Sequence, residues 1–237
     1  MIGPNGLLAA GGAAASSAFL AWSVRGRSAG VFGRSVWRGP RGRPTLALTF
    51  DDGPSEGTPE LLDALGRLGV KATFFQLGAN VDRLPAVSRA VAEAGHEIGN
   101  HGYSHALWCF RGRSFIESDL RRAQQAIVAR AGVRPVWFRA PFGVRWFGVA
   151  RAQRSVGLTG VMWTAIGYDW KLGAEAVAQR LAAGAVNGAI LCLHVGRELQ
   201  TRPDIGATVA AVRLLIPRLQ NRGFEFQTVS ELLCPTN

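Results

Sequence analysis

The sequence predicts an α/β protein whose parallel strands curl into a closed or nearly closed barrel. Three observations carry that expectation. From Arg43 onward, short apolar runs alternate with amphipathic helical segments, and parallel neighbours need helical crossovers. No glycine-rich phosphate loop follows any apolar run, which argues against an open nucleotide-binding sheet. Polar residues suited to chemistry collect where the runs end, and in such barrels sites lie at the carboxyl ends of strands.

The elements follow in order. "TLALTF" (45–50) is too short and too uniformly apolar for a surface helix and reads as a buried strand. "PELLDALGRLG" (59–69) has helical spacing and is closed by Gly69, and "KATFFQLG" (71–78) is the next strand. A helix over 81–94, a strand over 96–100 and a longer helix over 114–131 continue the alternation. Further strands fall at 136–139, 158–163, 188–194 and 224–227, with helices at 147–156, 174–185 and 205–222 between them. That makes about seven strand–helix units with no sequence repeat.

Composition sets the surroundings. The chain has 237 residues, 48% of them hydrophobic, enough for one large core plus an extension. Its formal charge of +11 is concentrated early. No acid precedes Asp51, while Arg25, Arg27, Arg34, Arg38, Arg41 and Arg43 all do. A basic leader ahead of a nearly balanced body favours an anionic membrane surface over nucleic acid as partner. Residues Leu7 to Val24 carry no charge and are long enough to approach a bilayer's thickness, yet they are rich in Ala, Gly and Ser. Membrane anchor, signal-like segment and core-docked helix all stay open for this stretch, and with them a membrane-associated, cytoplasmic or secreted location. The expected division is a leader over 1–42 and the strand–helix domain over 43–234. Cys109, Cys192 and Cys234 are odd in number and show no CxxC spacing, so neither a disulfide framework nor a thiolate metal site is indicated.

The strand ends hold the chemistry. Asp51 and Asp52 follow the first strand, His101 and His105 the third, and Arg139 ends the fourth. Asp169 stands after the fifth and His194 ends the sixth. His-x3-His suits zinc when a carboxylate from another strand end completes the set. Adjacent aspartates at a strand end point in different directions, so one can face a metal while its neighbour acts as base on a water. His96 precedes its strand and reads as structural.

In order and spacing, "TFDDGPS", "HGYSH", "RAPFG", "YDW" and "LCLH" resemble the five motifs of the polysaccharide deacetylases with a NodB homology domain, carbohydrate esterase family four. The resemblance covers about residues 43 to 233. It implies a deformed (β/α) barrel, one divalent metal ion, usually zinc, and hydrolytic removal of an N- or O-acetyl group from a glycan. That glycan could be a polysaccharide, peptidoglycan or a lipid-linked sugar. By carry-over, Asp52, His101 and His105 are metal ligands, Asp51 the base and His194 the acid. Arg139 would hold Asp51 and Asp169 would orient His194. A backbone N–H near Phe142 would stabilise an oxyanion. Trp163 and Trp170 would form a sugar-stacking wall or belong to the core, and Cys192 would shape the pocket that receives the acyl methyl.

The sequence departs from the family pattern at Gly102, Ile166, Cys192 and Val195. Those changes bear on the substrate more than on the reaction. A deformylase of a lipid-linked amino sugar and a non-catalytic glycan-binding barrel are therefore the rival readings.

Overall fold

The computed structural model describes residues 4–234, with side chains from Ala15 onward. Nine strands form one sheet, and every pairing between them is parallel. In chain order they are β1 (Ser35–Val36), β2 (Thr45–Gly53), β3 (Thr73–Gln76), β4 (Glu97–Asn100), β5 (Trp137–Phe138), β6 (Thr159–Val161), β7 (Ala165–Ile166), β8 (Ala189–His194) and β9 (Glu225–Gln227). Their spatial order is β1-β6-β5-β4-β3-β2-β8-β7, with β9 on β2. Among the described residues β1 and β7 share no ladder. The stretch 162–164 crosses between them instead: Met162 N donates to Val36 O and Thr164 N to Ile190 O. The barrel is therefore curled and incompletely laddered, as the deformed barrel leads one to expect.

The helices described are α1 (Pro4–Arg25), α2 (Thr58–Arg67), α3 (Gly78–Arg83), α4 (Pro85–Glu93), α5 (Arg113–Ala131), α6 (Val149–Val156), α7 (Ala174–Gly184), α8 (Gly206–Gln220) and α9 (Val229–Leu233). The helix expected over 81–94 is two helices. Pro85 removes a donor and pushes Leu84 out of the helical region, to φ −127°, ψ 56°. The strand expected over 158–163 is β6 alone; β7 follows as a separate dipeptide, so Asp169 comes after β7 and not after the fifth expected strand. β1 and β7 were not anticipated, because two-residue strands carry no period of their own.

Alternation along β2 and β8 sorts the core. Leu46, Leu48, Phe50, Leu191 and Leu193 face the helices, in one large cluster with Leu61, Leu65, Leu215 and Ile216. The intervening residues Ala47 and Ile190 join Phe75 and Val161 in a separate cluster, capped by Val229 and Leu232 of α9. The same period places Thr49 and Asp51, and Cys192 and His194, on that second face.

The leader does not stand apart from this body. The sheet begins at β1, ahead of the boundary expected between residues 42 and 43, and Val24 and Phe32 pack with Val144. Among the described residues no helix is long and apolar enough to cross a membrane. Of the stretch Leu7–Val24, the side chains up to Ala14 lie outside the described residues.

Candidate active site

β2 ends in an irregularity: its register against β3 shifts between Phe50 and Gly53, and Asp52 takes φ 66°. A bulge at a strand end re-aims side chains. Here it separates the two carboxylates that the strand presents together. Asp51 pairs in register with His194 on β8, while Asp52 turns toward the loop after β4.

Asp52 Oδ1 lies 3.3 Å from His101 Nε2 and 3.1 Å from His105 Nε2. The three residues are the first of two groups among the described residues whose ligand atoms lie within 4.8 Å of one another. His101 Nδ1 sits 2.8 Å from the carbonyl oxygen of Arg139 and must be its donor, which leaves Nε2 a lone pair. Asp52 Oδ1 is buried and makes no hydrogen bond. A lone pair set against a carboxylate oxygen repels unless a proton or a metal cation lies between them, and two imidazoles beside one carboxylate fit a divalent metal. The second group, Asp51, Cys192 and His194, already contains a cation partner: Arg139 Nη1 donates to Asp51 Oδ1 at 2.7 Å.

Arg139 is wholly buried, and its Nη1 also donates to Thr49 Oγ1 at 2.8 Å. Its Nε and Nη2 donate to the carbonyls of Val161 and Met162. A guanidinium so fully engaged is a fixed countercharge for Asp51. On the other flank, Asp169 Oδ1 accepts from His194 Nδ1 at 2.9 Å, and its Oδ2 accepts from the His194 N–H at 2.9 Å and from Thr208 Oγ1 at 2.6 Å. Burial works against both charges. These bonds and the mutual attraction outweigh it, so the Asp169 carboxyl lies below its usual range and the His194 imidazole above its own. With Nδ1 committed to Asp169, Nε2 is the ring nitrogen left for the cleft.

A cleft of about 960 Å³ opens over these groups. Phe142 and Trp170 line it as exposed rings, and Trp163 as a half-buried one. Trp170 stands edge-on to His194, with ring centroids 4.7 Å apart, and Phe142 tilts over His105 at 4.4 Å. Neither tryptophan belongs to the core clusters. Cys192 differs from its expectation. It is fully buried and does not line the cleft; its Sγ lies 3.5 Å from Asp51 Oδ2 and 3.6 Å from Arg139 Nη1. The strand period puts it one layer beneath His194. Burial first, then the Asp51 charge, push its thiol well above the ordinary range, so it stays a neutral donor. The support that an altered acyl pocket lent to the deformylase reading goes with that placement.

Other residues carry the site without having been anticipated. Asp119 of α5 accepts from Tyr103 N, Ser104 N and Ser104 Oγ, fixing the loop between the two histidines. Asn80 Nδ2 donates to the carbonyls of Asp52 and Glu198. Gly102, at φ 78°, leaves room that a Cβ would take from Asp119 Oδ2, 2.6 Å from where that carbon would stand. His96 is separate and structural: its Nδ1 accepts from Ala72 N, and burial lowers its pKa to about 4.

The polysaccharide deacetylase family model matches residues 38–161, a span holding Asp51, Asp52, His101, His105 and Arg139. The peptidoglycan-N-acetylglucosamine deacetylase PgdA of Listeria monocytogenes is 35% identical over 190 residues, 79% of this chain but only 38% of that protein. The chain thus spans well under half the length of this relative. A chitooligosaccharide deacetylase of Sinorhizobium fredii is 35% identical over 208 residues, covering 84% of this chain and 96% of that one. Among solved structures, the Bc1960 peptidoglycan N-acetylglucosamine deacetylase superposes with a TM-score of 0.78 at 29% identity, covering 85% and 94% of the two chains. A family-four pseudoenzyme from Bacillus anthracis reaches 0.76 at 26% identity, covering 84% and 68%. Since a pseudoenzyme shares the fold, activity must be argued from the site, whereas descent follows from the matches themselves: the chain belongs to the polysaccharide deacetylase family.

Proposed function

We propose that the chain is a metal-dependent hydrolase that removes the N-acetyl group from N-acetylglucosamine residues of a glycan. The relatives named for peptidoglycan and for chitooligosaccharides support that substrate class. One observation carries the reading. Asp51 and His194, register partners on adjacent strands, each have a separate buried partner, Arg139 for one and Asp169 for the other. A glycan-binding barrel would need neither pair.

Asp52, His101 and His105 would hold the metal. Two imidazoles and a carboxylate suit zinc. When bound, it would supply a Lewis acid and lower the pKa of a water toward about 7. The chain's own groups do the rest. Asp51, fixed at Oδ1 by Arg139, takes the proton of the water that attacks the acetyl carbon. The turn at Phe142 offers a backbone N–H to the oxyanion that develops, a contribution of about 3 to 4 kcal/mol where such donors have been removed. His194 holds its proton above the usual imidazole range because of Asp169, and delivers it from Nε2 to the departing amine. Phe142, Trp163 and Trp170 give the sugar apolar faces to lie against.

The test uses the purified full chain with a neutral chitooligosaccharide and with peptidoglycan, reading metal content and released acetate and formate. About one metal per chain, acetate release, and loss of activity in chelator with recovery on zinc are expected. Acetate release that persists in chelator by metal-free protein would sink the metal assignment. Formate release, or no acyl release from any glycan by metal-loaded protein, would sink the deacetylase reading.

A further inference from the structure

The leader reaches the cleft. Arg25, the last residue of α1, and Arg27 both line it, on the same cavity as Asp51, Asp52 and His194. Both are exposed, and neither is in an ion pair among the described residues. Their placement is built. Arg145, almost wholly buried, donates from Nη1 to Ala29 O and from Nη2 to Gly26 O, and its own N–H donates to Val24 O at 3.0 Å. Val24 and Phe32 pack with Val144, and the Phe32 ring meets Phe147 edge-on at 4.8 Å. Arg27 Nη1 in turn donates to the carbonyl of Thr164, in the stretch that joins β6 to β7. The segment directly after the Phe142 turn thus clamps the leader against the cleft wall.

Two other arginines line the cleft. Arg180 donates to Ile166 O and stacks on Tyr168, and Arg197 donates to the carbonyls of Gly196 and Asp169. Arg25 makes no hydrogen bond among the described residues, and Arg27 spends one donor of five on Thr164. Two guanidiniums that are two residues apart in sequence, line one cleft and have no carboxylate partner among the described residues suit an anion.

We infer that Arg25 and Arg27 make up an anion-recognising subsite, and that the glycan this chain prefers bears a carboxylate or phosphate on a sugar neighbouring the one deacetylated. The inference rests on the deacetylase reading for what occupies the cleft, and on the leader's docking for the subsite itself. It gives the early arginines a glycan for partner, where the basic leader alone suggested a membrane.

The test measures both affinity and kcat/KM of the full metal-loaded chain for three probes of equal length. One is a neutral N-acetylglucosamine oligosaccharide, one bears a carboxylate on the neighbouring sugar, and one a phosphate. At least one anionic probe should be favoured over the neutral one by about tenfold, less as salt rises. In Arg25→Gln/Arg27→Gln the anionic-to-neutral ratio should fall to about one. Arg25→Gln alone, which leaves the Thr164 bond in place, should lower it about threefold, so a detached leader cannot explain the loss. Which anionic probe carries the preference tells a carboxylate from a phosphate. A wild-type ratio of one or below for both, or a ratio unchanged in the double variant, overturns the inference. So does loss of binding to anionic lipid vesicles in the double variant with an unchanged glycan ratio. Should affinity show the preference while no probe is turned over, the subsite stands and the deacetylase reading falls.

Discussion

At Asp52 the backbone holds a left-handed conformation that costs an ordinary side chain about 1 to 2 kcal/mol. It is not isolated. Six described non-glycine residues have positive φ, and five of them, Asp52, His105, Phe142, Tyr168 and Glu198, line the cleft. Strain gathered at one cavity is the mark of a site whose geometry the surrounding fold imposes. It separates the roles of the paired aspartates, which gives the first prediction. Asp51→Asn should keep its metal and lose about 10² to 10⁴ in kcat, whereas Asp52→Asn should lose the metal itself. Metal analysis beside kinetics decides, and metal loss in Asp51→Asn alone would reverse the assignment. The second concerns the acid. Because Asp169 holds the His194 imidazole up, Asp169→Asn should move the basic limb of the pH–rate profile to lower pH. The sign for stability follows the same pair. The lowered Asp169 contributes above about pH 3.9 and loses its contribution as pH falls through its folded value. The raised His194 contributes fully below about pH 6.5 and loses its share as pH rises through its folded value. The variant should therefore lose most stability between those limits, and a pH-independent loss would speak against the pairing.

Among the elements, α5 acts on the site from a distance, because Asp119 gathers three donors of the loop between His101 and His105. Asp119→Ala should weaken metal affinity by about 10- to 100-fold in a chelator competition, while the isolated effect on Asp51 chemistry stays small. Undiminished metal affinity would remove α5 from the site. This dependence was not legible in the sequence. "ESDLRR" looks like any polar helix face, and nothing marks one acid as buried. What was legible had a period or a punctuation mark. The apolar run 45–50 and the motif ends gave β2, and the strand ends gave Asp51, Asp52, His101, His105, Arg139 and His194. Pro85 marks the helix break inside 81–94, which the apolar spacing alone runs through. β1 and β7 are too short for any period, and without β7 the sequence sets Asp169 after the fifth strand. A motif carries no depth, whereas the alternation along β8 sets Cys192, expected to shape the acyl pocket, below His194.

For the molecule as a whole, the question is whether the body folds without its leader. Read from composition, a chain beginning at Arg41 ought to be soluble and active, since a basic leader touches no barrel core. The packing points the other way. Such a chain lacks β1, leaving β6 without its outer neighbour, and lacks the carbonyls that Arg145 binds. It also uncovers the surface on which Val24 and Phe32 are more than nine-tenths buried. Losing the burial of two such side chains removes about 1.5 to 3 kcal/mol each, against the 5 to 15 kcal/mol that holds an ordinary domain together. A fall in Tm of about 10 °C is expected for the chain beginning at Arg41. Calorimetry on the two proteins separates the outcomes. Equal melting of the truncated and the full chain would mean that the leader is an appendage, and the anion subsite would then rest on a segment that the barrel does not hold.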